Sequence, residues 1–463
     1  MSAATGSSTV RGHRDAATIG RTPAGPRELP PLGRARTAGE LELVERTVSS
    51  GLRVVAVARR TVPTVELRLR IPFAGEERTR AARAELLASS LLSGTATRDR
   101  VRIDDELAAI GGDIGAGVDP ERLLISGSAL AAGLPTLLEV LADVLTSAAY
   151  PDGEFARERE RLVERILVAR SQPRMVAREA LQRRRYGDHP ATRELPESDD
   201  VSAVSPSEVR ALHAAAVLPA GSTLVLVGDV DPEKAIALVE EILGAWSPPG
   251  TATEMPPLPS LTGRDLLLVH RPGAVQSQLR FSADAVPRTD PDYPAYQLAN
   301  LVLGGYFSSR LVENLREDKG YTYSAHSMLE FSPSGAALLV ETDVTTEVTA
   351  AAVLETRYEL ARLSAVPPTE AELESARNYA VGSLLISLDS QPGLAATLCA
   401  LSGVGLDAHW LRGHPARLAE VTTEQVAQVA QRYFTPTVFT GVVVGDADVT
   451  GARLRALGGI EGP

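Results

Sequence analysis

One cysteine, two tryptophans and seven phenylalanines are all that 463 residues contain of those types, and each shortage narrows what the chain can be. The lone cysteine, Cys399 in the apolar run TLCALSG, excludes a disulfide framework and fits a reducing compartment; it reads as a small core residue rather than a nucleophile. No stretch reaches the roughly 18 uninterrupted apolar residues of a membrane span, and the N-terminus has no apolar signal-peptide core, so a cytoplasmic location is expected. Lysine is almost missing, because among 47 basic residues only Lys234 and Lys319 are lysines. A net charge of -12 argues against a nucleic-acid partner, whose phosphates need a basic face. What remains, 44% apolar and 23% charged, is the composition of a globular chain long enough for two cores.

The order of features supports that division. Residues 1–40 are rich in Ser, Thr, Gly, Pro and Arg without periodicity and are expected to be a flexible tail. Two alternating β-rich runs then flank Ser50-Gly51, a hairpin signal. Prolines crowd residues 247–264, which read as a linker between a first domain, 41–246, and a second, 265–463. Across that linker the pattern repeats. TVELRLRIPFAGE is matched by VQSQLRFSADA, and Ser171-Gln172-Pro173 by Ser390-Gln391-Pro392. STLVLVGDVDP is matched by TGVVVGDADV, each after a helix with an N-cap signal, SPSEVRALHAA and TTEQVAQVAQRYF. The pattern predicts an internal duplication in the α/β (α+β) class, each half a mixed sheet with helices on one face.

The segments that carry chemistry are the SGLRV start, the helix ending Ser93-Gly94-Thr95, ERERLVER, Gly187-Asp188-His189-Pro190 and GGYFSSRLVENLREDKGYTYS. On these, the chain resembles the pitrilysin/insulinase zinc peptidases, or inverzincins, over residues 41–450. The resemblance implies two pitrilysin-like domains arranged as a clamshell. Active members carry H-x-x-E-H on the first-domain helix, two His and a later Glu holding zinc while the internal Glu serves as base. Here those five positions are Glu85-Leu86-Leu87-Ala88-Ser89, and the later ligand position falls on Arg165. Ala88 cannot move a proton, and an arginine repels a dication. The seven histidines form no H-x-x-H or H-x-x-x-H pair, and His189 is expected to order its own loop. No metal or other cofactor is therefore expected on this chain. Glu85 and Arg165 should lie near one another, either as an ion pair, in which case truncating Glu85 would cost about 3 kcal/mol, or with both facing solvent.

The second domain keeps what the first has lost. The resemblance assigns Arg316 and, seven residues on, Tyr323 to contacts with the substrate backbone and transition state. Tyr321 sits where the family has an aliphatic residue and receives no catalytic role. Gly304-Gly305 lacks the G-K-[ST] of a phosphate loop and reads as a tight turn. The arrangement resembles the non-catalytic subunit of bacterial heterodimeric zinc peptidases, with an H-x-x-E-H homologue as partner, zinc in that partner, and unstructured peptides as substrate, leader segments of ribosomally made peptide products among them. The alternatives are a structural protein, like the peptidase-derived core subunits of respiratory cytochrome bc complexes, and a stand-alone peptide-binding module.

Overall fold

The computed structural model describes residues 41–462, so the tail expected over residues 1–40 lies outside the described residues. The first half runs β1 (Leu43–Thr47), β2 (Arg53–Ala58), β3 (Thr64–Pro72), α1 (Arg80–Ser90), α2 (Arg100–Ala109), β4 (Asp113–Val118), β5 (Arg122–Leu130), α3 (Leu134–Ser147), α4 (Asp152–Ser171), α5 (Pro173–Tyr186), α6 (Ser198–Ala203), α7 (Pro206–Ala216), β6 (Thr223–Gly228) and α8 (Pro232–Leu243). The second runs β7 (Leu266–His270), β8 (Gln276–Asp284), α9 (Tyr293–Asn300), α10 (Arg310–Val312), β9 (Ala325–Ser332), β10 (Gly335–Thr345), α11 (Thr349–Ala365), α12 (Glu370–Asp389), α13 (Gln391–Ser402), α14 (Ala408–Ala419), α15 (Thr423–Tyr433), β11 (Thr440–Gly445), α16 (Ala447–Ala456) and β12 (Ile460–Glu461). Residues 247–264 between them form neither helix nor strand.

Each half builds one six-stranded sheet, in the orders β1-β2-β6-β3-β5-β4 and β12-β7-β11-β8-β10-β9. Five strands correspond in sequence and position. β2 and β6 pair in parallel as β7 and β11 do, and β3 and β8 each lie antiparallel to the last long strand of their half. The sixth place is filled from opposite ends of the chain. β1 precedes its sheet and runs antiparallel to β2, whereas β12 follows its sheet and runs parallel to β7. The two N-cap signals are realised as capping boxes, Ser205 with Glu208 and Thr422 with Gln425.

The runs TLVLVG of β6 and TGVVVG of β11 are buried at every position. Such unbroken apolar runs require cover on both faces of a sheet. One face is covered by helices of the same half. The other is covered by a helix from the opposite half: α5 lays Ala177 and Leu181 on Val442, Val444 and Leu339, and α13 lies on β3 and β6. β3 shows the consequence in its alternation. Val65, Leu67, Leu69 and Ile71 point into their own core, while Glu66, Arg68 and Arg70 are on the face toward the second half. Glu66 and Arg70 are nonetheless buried, and Arg68 pairs with Glu66 at 2.9 Å.

The exchange is fastened at its corners. Gln391, 2% exposed at the start of α13, accepts from the Thr64 hydroxyl at 2.5 Å and donates to the carbonyls of Arg59 at 2.6 Å and Val62 at 3.1 Å. Arg59 in turn pairs with Asp389 at 2.8 Å. At the matching corner Gln172 is exposed, and Arg271 donates to the Ser171 carbonyl at 3.2 Å.

Candidate functional site

Two turns of π-helix, Leu301–Gly305 and Glu313–Asp318, frame the segment GGYFSSRLVENLRED. In the second the ladder widens, the Lys319 N–H reaching the Asn314 carbonyl at 3.0 Å and the Tyr321 N–H that of Leu315 at 2.9 Å. Gly304 is needed at the end of the first, because a Cβ there would stand 2.8 Å from the backbone nitrogen of Ser327 on β9. Gly320, at φ +62°, turns the chain back toward Tyr323. Arg310 anchors the segment: 3% exposed, its guanidinium grips Glu372 with Nε–Oε1 at 2.7 Å and Nη2–Oε2 at 3.1 Å. Glu372 also accepts the Thr369 N–H that begins α12, and its carboxyl is held down at about 2 because the Arg310 and Thr369 bonds outweigh the burial that would raise it.

This frame brings Arg316 and Tyr323 together. The Arg316 guanidinium carbon lies 5.4 Å from the Tyr323 ring centre and 4.7 Å from that of Phe307. Tyr323 is 90% and Phe307 64% exposed, while the Arg316 side chain between them is half-buried, 30% exposed. The only carboxylate within ion-pair distance of Arg316 among the described residues is its neighbour Glu317, at 3.5 Å. Tyr321, by contrast, packs against the core of its half. Fixed N–H donors and a phenol, side by side and open to water, can bind a peptide carbonyl and stabilise charge developing on it.

The former metal positions lie on α1, packed on α4. Glu85 is half-buried against a small cavity of about 30 Å³ that Arg80 and Arg193 also line. Ala88 is buried and has no donor, and the Ser89 hydroxyl donates to the Leu86 carbonyl at 3.4 Å. Burial pushes the Glu85 carboxyl above the ordinary glutamate value, and the charge of Arg165 pulls it only partly back. Among the described residues no ion pair joins the two: Arg165 is exposed on α4, so solvation competes with the pairing. The expected pair does not form, and with it goes the large penalty expected for removing Glu85. One half-buried carboxylate, a hydroxyl, a methyl and an arginine do not make a zinc site, which needs three or four nitrogen, sulfur or oxygen ligands. No hydrogen bond, ion pair or ring contact among the described residues links these positions to Arg316 or Tyr323.

Residues 56–199 match the family model described as insulinase (peptidase family M16), and residues 203–379 the one described as the peptidase M16 inactive domain. The chain belongs to the M16 peptidase family. An uncharacterized zinc protease of Mycobacterium bovis is 26% identical to this M16 chain over 412 residues, 87% of this chain and 93% of that protein. The beta subunit of the mitochondrial-processing peptidase of Lentinula edodes is 22% identical over 433 residues, 87% of this chain and 90% of its own. Among solved structures, a peptidase M16 inactive domain from Pseudomonas fluorescens matches with a TM-score of 0.80 at 24% identity, covering 87% of this chain and 98% of that one. A protease from Helicobacter pylori matches with a TM-score of 0.79 at 20% identity, covering 87% and 99%. These two likenesses carry the M16 fold.

Four of the histidines, His189, His213, His270 and His414, serve the fold of this M16 chain. His189 Nδ1 accepts the Ala191 N–H at 3.2 Å, ordering its loop as expected. His213 bridges the Tyr150 hydroxyl and the Leu145 carbonyl, and His414 stacks on Trp410 at 4.6 Å. His270 converges with Asp446 and Asp448, but Asp446 accepts the N–H groups of Gly273 and Asp448 while His270 accepts that of Ala447, all at the start of α16. The residue that sequence reasoning missed is Phe307. Its place within GGYFSSRL was visible, but no spacing rule relates it to Arg316.

Proposed function

We propose that this chain is the non-catalytic, substrate-binding subunit of a heterodimeric zinc peptidase. The observation that carries the proposal is the pairing of Arg316 with the exposed Tyr323 in a chain whose Glu85, Ala88, Ser89 and Arg165 do not make a zinc site. A homologue with H-x-x-E-H would supply the zinc and the activated water. Against the scissile carbonyl, Arg316 donates from its guanidinium edge and Tyr323 from its hydroxyl. The edge of β4, which among the described residues pairs with β5 alone and borders a groove of about 450 Å³, suits an extended peptide adding as a further strand. The substrates are unstructured peptides, with leader segments of ribosomally made peptide products as one source.

The test is cleavage of fluorescein-labelled casein by this chain, by an H-x-x-E-H homologue from the same genome, and by the mixture. Cleavage is expected from the mixture alone. Arg316→Ala should lower kcat by roughly 100-fold and Tyr323→Phe by roughly 10-fold, as expected for oxyanion donors. Full activity of the homologue by itself, or activity of this chain by itself, overturns the assignment. Casein binding without cleavage in any mixture would favour a stand-alone peptide-binding module.

A further inference from the structure

Phe307 is an exposed phenylalanine on a turn, where its ring contributes little to any core. What it touches is Arg316, at 4.7 Å from ring centre to guanidinium carbon. The geometry has a chemical logic. An arginine held by a carboxylate gives its N–H donors to that carboxylate, whereas one held against an aromatic ring engages through its face and keeps the in-plane donors free. Glu317 stands 3.5 Å away and offers the first kind of hold. Phe307, with Tyr323 at 5.4 Å, offers the second.

We infer that Phe307 is a positioning residue: its ring, 4.7 Å from the Arg316 guanidinium carbon, competes with Glu317 for the guanidinium and so keeps N–H donors of Arg316 available to a peptide carbonyl. The inference rests on the proposed role of Arg316 in peptide cleavage. It goes beyond that role in naming the group that orients the donor. The fixed backbone around Phe307 makes the hold possible, because Gly304 seats the preceding turn directly on β9.

Two readouts on the full chain decide the matter. In the free, nitrogen-15-labelled protein, the Arg316 Nε–H resonance, assigned by its loss in Arg316→Lys, should carry an upfield ring-current shift. Phe307→Leu should reduce that shift to the part that Tyr323 contributes and Phe307→Tyr restore it, with unchanged melting temperatures showing that both fold. In the casein assay with the H-x-x-E-H homologue, Phe307→Leu should lower kcat/KM by roughly 2- to 5-fold, the range expected for an exposed cation–ring contact. The loss should fall on kcat rather than KM, and Phe307→Tyr should recover it. If Phe307→Leu leaves either the shift or kcat/KM unchanged while Arg316→Ala impairs cleavage, this inference alone falls. If Arg316→Ala has no effect on cleavage, the proposed function falls and takes the inference with it.

Discussion

Arg165 and Arg316 carry the same charge at positions that the family resemblance singles out, and their surroundings separate them. Arg165 is exposed on α4 and acts on Glu85 only at a distance. Arg316 is held against two rings. The consequence for Glu85 is a matter of sign. Its folded carboxyl keeps a proton to higher pH than the unfolded chain does, so stability falls as pH rises from about 4.5 through the raised value. Glu85→Gln should therefore match or exceed the parent in urea denaturation at pH 7, with the difference vanishing below about pH 4.5. A clear loss of stability at pH 7 would mean that Arg165 does hold the carboxylate. At this scale the sequence was informative about residue type and silent about direction. That Ala88 cannot be a base follows from its side chain; that Arg165 turns to water does not.

At the scale of elements, the segment carrying Arg316 is tied down from behind. Arg310 is 3% exposed and its only carboxylate partner among the described residues is Glu372, which also closes the capping box of α12. Glu372→Ala leaves a buried arginine without its partner and should cost about 3 kcal/mol in chemical denaturation at neutral pH. Glu372→Gln keeps the cap contacts and should cost less. In the parent the contribution of Glu372 is present above the usual carboxylate range and is lost as pH falls toward about 2. A cost under about 1 kcal/mol for Glu372→Ala would show that solvent replaces the pair. The hairpins, the capping boxes and the apolar central strands were legible because each obeys a local rule. The two π turns were not; in the first, the close approach that requires Gly304 is to Ser327, 23 residues away in the chain, which no local pattern announces.

For the whole molecule, duplication was readable from paired segments, and the exchange of α5 and α13 was not. An amphipathic helix announces that it has an apolar face without saying which sheet will cover it. The polar face of β3 misleads in the same way, because Glu66, Arg68 and Arg70 read as solvent-facing and instead lie between the halves. The duplicated corners offer an internal control. Gln391→Ala removes three part-buried hydrogen bonds and should cost about 2 kcal/mol, whereas Gln172→Ala, at the equivalent but exposed position, should be neutral within measurement. Equal effects at both positions would mean that the corners are alike in solution.

Because each half borrows a helix from the other to cover its central strand, the chain can no longer be divided into the two units from which it was doubled. Neither half alone has a finished surface: without α13 the face of β6 would stand bare, and without α5 that of β11 would. A cut anywhere in residues 247–264 would sever the backbone and leave the two pieces clasped. Any rearrangement that opens a path for peptide must then occur at the surfaces these halves present outward, not by parting them.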